Sequence, residues 1–593
     1  MLVAEAAGSL PHAFNRIDWL VVAAYLVLTT LVGARLAGKQ STIRDFFLAG
    51  RRLPWWAICG SIIATEISAV TFIGAPAISF ADGGNLTYLQ LALGAVVARL
   101  IIGFYFVPEY YAREIYSPYD YAEHRLGAGA RKATTGLFLV GGILGQGARV
   151  YVTALVLSVI ADWDLGRSIW AIGMFSVGWT LMGGMTTVIW TDLLQFVVLM
   201  AGACAALGFA IHAMPDSLPD AVRTAAAAGK FQLLDLRTNP SLRYTLWCGL
   251  LATPFVNLAA FGTDQVMAQR MFCCRNRGDA RKAIIASSAS VFIAALMLAV
   301  GIALYVYFLR DPFTAGEAAM YTQRNAYLLP IFIVRALPTG VRGLIVAAIF
   351  ASAVSTLDST LAALSQTTLA VLPRRRHRGG RPDGWFAHLI SSDIGLSKAL
   401  VVLWGGVLCL TATVCIALAE QQANVVDLAL ALVGYTYGPL LGIFLLAFLP
   451  MKRDASGLIW AVPMSVLAVF GMLQHGLAIG TVGGYEVRLA DWIVWLGAAA
   501  ILVAGLIRSG GDVKRTAMLA GGAVAIVFLH RYRTVDELGQ SAYAAFTWTY
   551  PIGTAMTFVI AYVLGRPTER PARKVGTARR RSAAGKRGRR RAK

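Results

Sequence analysis

Hydrophobic residues in this chain come in long unbroken runs, not in alternation or in amphipathic stripes. About fifteen of them approach the roughly 20 residues that a helix needs to cross a hydrocarbon core. They fall at 17–38, 54–80, 85–107, 133–160, 168–187, 189–213, 243–268, 283–309, 341–371, 398–419, 425–450, 457–477, 489–507, 516–530 and 547–564. The pattern predicts an all-α polytopic membrane protein of about 15 spans. Two runs are interrupted. The run 54–80 has a polar centre, Ala64-Thr65-Glu66-Ile67-Ser68, flanked by Gly60, Gly74 and Pro76. A carboxylate and hydroxyls in hydrocarbon are costly. Helix breakers at that depth are tolerated where the freed backbone groups are buried in protein or line a wet cavity. The segment reads as a discontinuous helix that holds a small solute or ion, with a kinked packing helix as the alternative. The run 243–268 carries Thr253-Pro254-Phe255 and Phe261-Gly262-Thr263-Asp264-Gln265, a second interruption five spans after the first. Two broken helices in corresponding positions of two five-span halves point to an inverted repeat with a midplane site.

Charge sets the orientation. Of the 593 residues 57% are hydrophobic and 14% charged, against about 25% charged in soluble domains, and the mean hydropathy is +0.64. A net charge of +22 could signal nucleic acid. Here, however, the basic residues sit between apolar runs: Arg35 to Arg52, Arg113 to Lys132, Arg270 to Lys282 and Arg374 to Arg378. That is the positive-inside pattern. It predicts an N-terminus outside, a multi-pass protein of the cytoplasmic (inner) cell membrane, and no nucleic-acid partner. Arg531 and Arg533 run against it in the last outer loop. The segment Ile331-Phe332-Ile333-Val334-Arg335-Ala336-Leu337-Pro338 is expected along the interface. The division that follows is 1–53 for an extra span and inner loop, 54–213 and 243–450 for the two repeats, 451–565 for additional spans, and 566–593 for a basic, disordered cytoplasmic tail. The tail reads as a positive-inside anchor or as a contact for anionic lipid. The seven cysteines show no zinc or disulfide spacing. No signal peptide and no obligate protein partner is evident.

Three further constellations carry chemistry. Ser352, Ser355 and Thr356 stand at i, i+3 and i+4, so they share a helix face. Hydroxyl and carbonyl oxygens suit a hard cation such as Na⁺, and small-residue helix packing is the alternative. Asp192 is an acid near the end of a span, either a charge for a cation pathway or a helix-start carboxylate. Arg149 lies a few turns into a span. It is either a clamp for a solute carboxylate or the partner of Glu66. There is no Walker-type loop, so no direct ATP drive, and no HExxH or GxSxG, so no enzyme is expected.

Four motifs resemble the sodium/solute symporter family of sodium-coupled sugar, proline, monocarboxylate and sialic acid carriers. They are ATEISAVTFIGAP at 64–76, GGMTTVIWTDLLQ at 183–195, FGTDQVMAQR at 261–270 and ASAVSTLDSTLAALS at 351–365. The resemblance covers roughly residues 15–450 and implies a five-plus-five inverted-repeat, LeuT-like core with one extra N-terminal helix. It implies Na⁺ as coupling ion, no organic cofactor, and a sodium site of Ala64, Ile67 and Ser352 carbonyls with Ser355 and Thr356 hydroxyls. Asp192 matches an acid beside it, and Asp192, Ser352 and Ser355 together match a second sodium site of sialic-acid-type members. Ser68, Thr71 and Gln90 match polar substrate positions, and Arg149 matches their carboxylate-binding arginine. Glu66, Phe261 and Asp264 fall in the same motifs and complete the expected substrate set. Glu66 departs from the family's usual Asn, Thr, Ser or Asp. It could bind a proton, neutralise Arg149 or favour an amine-bearing solute. Val266 stands where sugar carriers have an aromatic gate, which weakens a sugar assignment. The implied function is sodium-coupled symport of a small organic solute, leaning to a carboxylate. The alternatives are symport of a sugar or other neutral solute, proton coupling through Glu66, a transporter-like sensor and an uncoupled channel.

Overall fold

With no water to bond their backbone groups, apolar runs close their hydrogen bonds within helices, and every expected run is helical over most of its described residues. The computed structural model describes residues 14–36, 48–113, 115, 117–182, 185–214, 216–372, 393–419, 425–450, 453–473, 478–482, 485–509, 512–532, 534–535 and 541–567. Eleven helices among them are long and apolar enough to cross a membrane, and up to twelve if a bent pair counts as one span. The remaining expected runs are the helices Leu165–Met182, Cys248–Thr263 and Thr549–Leu564, which fall outside that set. Length and composition alone therefore support fewer full spans than the fifteen runs suggest. Two small hairpins, Ala478–Val482 with Tyr485–Arg488 and Thr534–Val535 with Ser541–Ala542, interrupt the helical pattern. Gly183 and Gly184 at the start of the second motif, the run Arg374 to Arg378 and the tail beyond residue 567 lie outside the described residues.

The bent pair is the run 54–80. Its halves, Trp55–Glu66 and Ala69–Phe80, meet at 59°. The break lies at Ile67 (ψ 87°) and Ser68 (ψ 170°), not at the glycines or the proline. Gly60, Gly74 and Pro76 are all helical. Gly60 is small for packing: a Cβ there would lie 2.6 Å from Leu193 Cδ1. The second interruption falls at Asp264, which is extended (ψ 135°) between Cys248–Thr263 and Gln265–Phe272. Its carboxylate caps the latter by accepting from Val266 N at 2.8 Å.

The helix Val341–Val371 is the most enclosed of the eleven. It packs against Met185–His212, Arg16–Leu36, Ala128–Ala161 and the first half of the broken span. Leu328–Ala336 corrects the interfacial expectation. Leu328 to Ile333 are fully buried, so this apolar segment packs within the bundle.

Candidate functional site

The break supplies free carbonyls and Val341–Val371 supplies hydroxyls. Ser68 N–H turns to Glu66 O at 2.9 Å, so the Ala64 carbonyl lacks the donor that an intact helix would give it. The Ile67 carbonyl accepts from Ser352 Oγ at 2.7 Å. Thr356 Oγ1 lies 3.2 Å from Thr65 O and 3.0 Å from Ser352 O. Thr65 Oγ1 and Ser355 Oγ are 3.3 Å apart. Ala64, Ile67, Ser352, Ser355 and Thr356 are all buried and meet across two helices. Their donor atoms are neutral oxygens, the set that suits a small hard cation.

Asp192 adjoins this ring. Ser355 Oγ donates to its Oδ1 at 2.6 Å and Ser61 Oγ to its Oδ2 at 2.5 Å. Its cationic partner is Arg270, which corrects the reading of Arg270 as a basic loop residue. Arg270 is fully buried. Its guanidinium lies 2.9 Å from Asp192 Oδ2 and donates to Ser61 Oγ at 2.8 Å, Val266 O at 2.8 Å, Thr65 Oγ1 at 2.5 Å and Ser359 Oγ. Asp358 is buried in the same cluster. Its Oδ1 accepts from Ser359 Oγ at 3.1 Å, and its Oδ2 has no hydrogen-bond partner among the described residues. Two buried carboxylates thus lie in one cluster with a single guanidinium, which pairs with Asp192.

Beside the break lies a cavity of about 250 Å³ lined by Glu66, Ser68, Thr71, Arg149, Phe261 and Asp264, among others. Six of the seven expected substrate residues therefore face one space. Gln90 does not. Its amide donates to Tyr244 O at 2.8 Å, and its carbonyl oxygen accepts from Asp235 N at 3.1 Å. It braces a loop. Glu66 pairs with Arg99 at 2.5 Å, not with Arg149. Arg99 is fully buried, with its guanidinium 4.4 Å over the Phe261 ring. It is the lone charge in the run 85–107, which was its signal in the sequence. Asp264 Oδ2 accepts from Tyr437 at 3.0 Å. Arg149 is half-buried, and its guanidinium makes no hydrogen bond or ion pair among the described residues. Gln146, three residues earlier on the same helix, also lines the cavity, and its Oε1 has no hydrogen-bond partner among the described residues.

A helical bundle with a ring of neutral oxygens at a broken span, beside a cavity whose mostly apolar wall carries a few charged and polar groups, defines a cation-coupled membrane transporter. The chain belongs to the sodium:solute symporter family, which matches residues 46–464. It is 28% identical over 471 residues to sodium-coupled monocarboxylate transporter 2 of Bos taurus, across 77% of this chain and 72% of that one. It is 26% identical over 490 residues to the sodium/sialic acid symporter SiaT of Proteus mirabilis (strain HI4320), across 81% and 95%. A solved structure of a Na⁺-coupled sialic acid symporter in a substrate-bound outward-open state shares the fold. The TM-score is 0.67 at 24% identity, covering 83% of this chain and 98% of that one. The protein is thus a multi-pass, sodium-coupled solute transporter and not an enzyme.

Proposed function

We propose that this transporter imports a small organic carboxylate together with Na⁺ by alternating access. The observation that carries the substrate class is Arg149. Of the charged groups lining the cavity, Glu66 is held by Arg99, and Asp264 by Tyr437 and its own cap. Arg149 alone offers unused donors, and a guanidinium fork matches a carboxylate. Monocarboxylate and sialic acid carriers are among the relatives. The unpaired Gln146 oxygen favours an acid that also carries an O–H or N–H donor. Pairing of Glu66 with Arg99 argues against proton coupling through Glu66.

Sodium sits on the Ala64, Ile67 and Ser352 carbonyls and the Ser355 and Thr356 hydroxyls. A second ion near Asp192, Ser352 and Ser355 would offset the excess of carboxylate over guanidinium there. The ring bridges the broken span and Val341–Val371, so an ion in it stabilises one arrangement of those helices. Solute and ion then raise each other's affinity, because linkage is reciprocal. In the scheme we favour, 54–213 and 243–450 are inverted repeats, the N-terminus is outside, and the basic tail is cytoplasmic. Membrane potential and a tenfold sodium gradient together supply about 3.7 kcal/mol per ion, several hundred-fold accumulation.

Purified protein is tested by tryptophan fluorescence and thermal shift against monocarboxylates, hydroxy acids, sialic acid, amino acids and sugars, in Na⁺ and then in choline. Carboxylate responses that need Na⁺ are expected. A sodium-dependent response confined to sugars would overturn the substrate class. The ring has its own test. Ser355→Ala combined with Thr356→Ala should raise the half-saturating Na⁺ concentration by about thirtyfold, two ligand oxygens at about 1 kcal/mol each. Radiolabelled Na⁺ binding that is unchanged would exclude these ligands.

A further inference from the structure

The two helices that form the sodium ring are each held, far from it, by a buried charge from another segment. The half Ala69–Phe80 ends at Ser79, Phe80 and Ala81, about 20 Å from the break at 1.5 Å per residue. Their carbonyls accept from Lys230 Nζ at 3.0, 3.0 and 2.7 Å. Lys230 is fully buried. Its ammonium lies 4.0 Å from the Tyr305 ring centroid, and no carboxylate pairs with it among the described residues. Its charge is balanced by a helix C-terminus and an aromatic face, both of which favour a cation. The loop that carries it is itself fixed. Gln232 O accepts from Leu86 N at 3.1 Å, Gln90 holds Asp235 and Tyr244, and Pro240 O accepts from Ala545 N at 2.8 Å.

Val341–Val371 is held at its opposite pole. Asp18, fully buried at the start of Arg16–Leu36, accepts from Gly340 N at 2.7 Å and Gly343 N at 3.3 Å. These are orphan donors of the helix N-terminus, where an anion is favoured. The same carboxylate lies 3.4 Å from Arg342 Nε, offsetting a cation placed at the unfavourable end of the dipole. The contact is close: a Cβ at Gly343 would lie 2.6 Å from Asp18 O. Ser352 to Thr356 lie about 20 Å along the helix from this anchor.

We infer that Lys230 and Asp18 are positioning residues for sodium, pinning the far ends of the two helices whose meeting sets the ring. The inference rests on the sodium ligands proposed above. An ion site made of oxygens from two separate helices has the size that their relative placement gives it. Loosening either far end lets the helix pivot, and the ring changes both its affinity and its preferred ion radius.

The test is Na⁺ and Li⁺ binding to the purified full-length protein, with melting measured in choline. Lys230→Met and Asp18→Asn should each raise the half-saturating Na⁺ concentration by about fivefold, the range of a helix-terminus charge interaction. They should also shift the Li⁺ to Na⁺ affinity ratio by about threefold, which general destabilisation would not do. Lower melting in choline with Na⁺ affinity and ion ratio unchanged would make both residues merely structural and overturn the inference. Should Lys230→Met fail to fold, Tyr305→Leu keeps the ammonium but removes the ring beneath it. A shift of about twofold is then expected, and none would overturn the role of Lys230. Ser355→Ala with Thr356→Ala, measured alongside, separates the two claims. If it leaves Na⁺ binding intact, the ring has failed. If it weakens binding while Lys230→Met and Asp18→Asn do not, only the pins have failed.

Discussion

Arg270→Met is expected to deprive the protein of its fold before it deprives it of sodium. The guanidinium is fully buried and satisfies Asp192, Ser61, Thr65, Ser359 and the Val266 carbonyl at once. Methionine fills much of the same volume but leaves Asp192 buried without its cation, in a cluster that already buries Asp358. Breaking a buried ion pair from one side costs about 3–5 kcal/mol, because the surviving charge stays buried. That is a large part of a typical folding free energy. The measurement is the monodisperse yield and melting point of the purified variant. Arg270→Lys should rescue little, since an ammonium cannot reproduce the planar fork that reaches several acceptors. Arg270→Met with Asp192→Asn should recover part of the yield, because the second change removes one of the stranded charges. A single variant as stable as the parent would mean that the cluster is open to water, and the argument from burial would fail.

Arg270 also shows where the sequence stops being legible. It follows an apolar run and precedes Arg275, Arg277 and Arg281, so charge patterning assigns it to a basic loop. Nothing local marks it as the one that folds back 78 residues to Asp192. The broken span was legible in its polar centre, because Glu66 and Ser68 within an apolar run demand partners. The break falls inside that polar centre, at Ile67 and Ser68, while the flanking glycines and proline stay helical. The small residues mark close packing, as Gly60 does against Leu193. The face made by Ser352, Ser355 and Thr356 could be read from helical spacing, and it is the face that meets the break. Glu66 illustrates the remaining limit. Its need for a cation was plain, but Arg149 and Arg99 were both within the apolar runs, and only tertiary packing selects Arg99. The same packing takes Gln90 out of the cavity and into the loop beneath Tyr244.

Arg149→Ala should behave in the opposite way to Arg270→Met. Arg149 is half-buried and faces the cavity, its guanidinium without a hydrogen bond or ion pair among the described residues, so its removal strands no carboxylate. An unpaired cation in a partly desolvated site costs stability, and melting in choline should stay level or rise. What is lost is the recognition of the acid. A bidentate, charge-assisted contact is worth about 3 kcal/mol, so affinity for a carboxylate should fall by about 100-fold. Arg149→Lys keeps the charge without the fork and should lose about tenfold. The readout is the sodium-dependent thermal shift with lactate, pyruvate and sialic acid as probes, compared in parent and variants. Because the proposed sodium ligands do not include Arg149, Na⁺ binding without solute should be unchanged in both variants. Two outcomes would count against the assignment. If Arg149→Ala fails to fold, the guanidinium is a structural group whose partner the cavity geometry conceals. If the variant folds and answers to carboxylates as the parent does, the acid is held elsewhere and the cavity must be reconsidered around Ser68, Thr71 and Gln146.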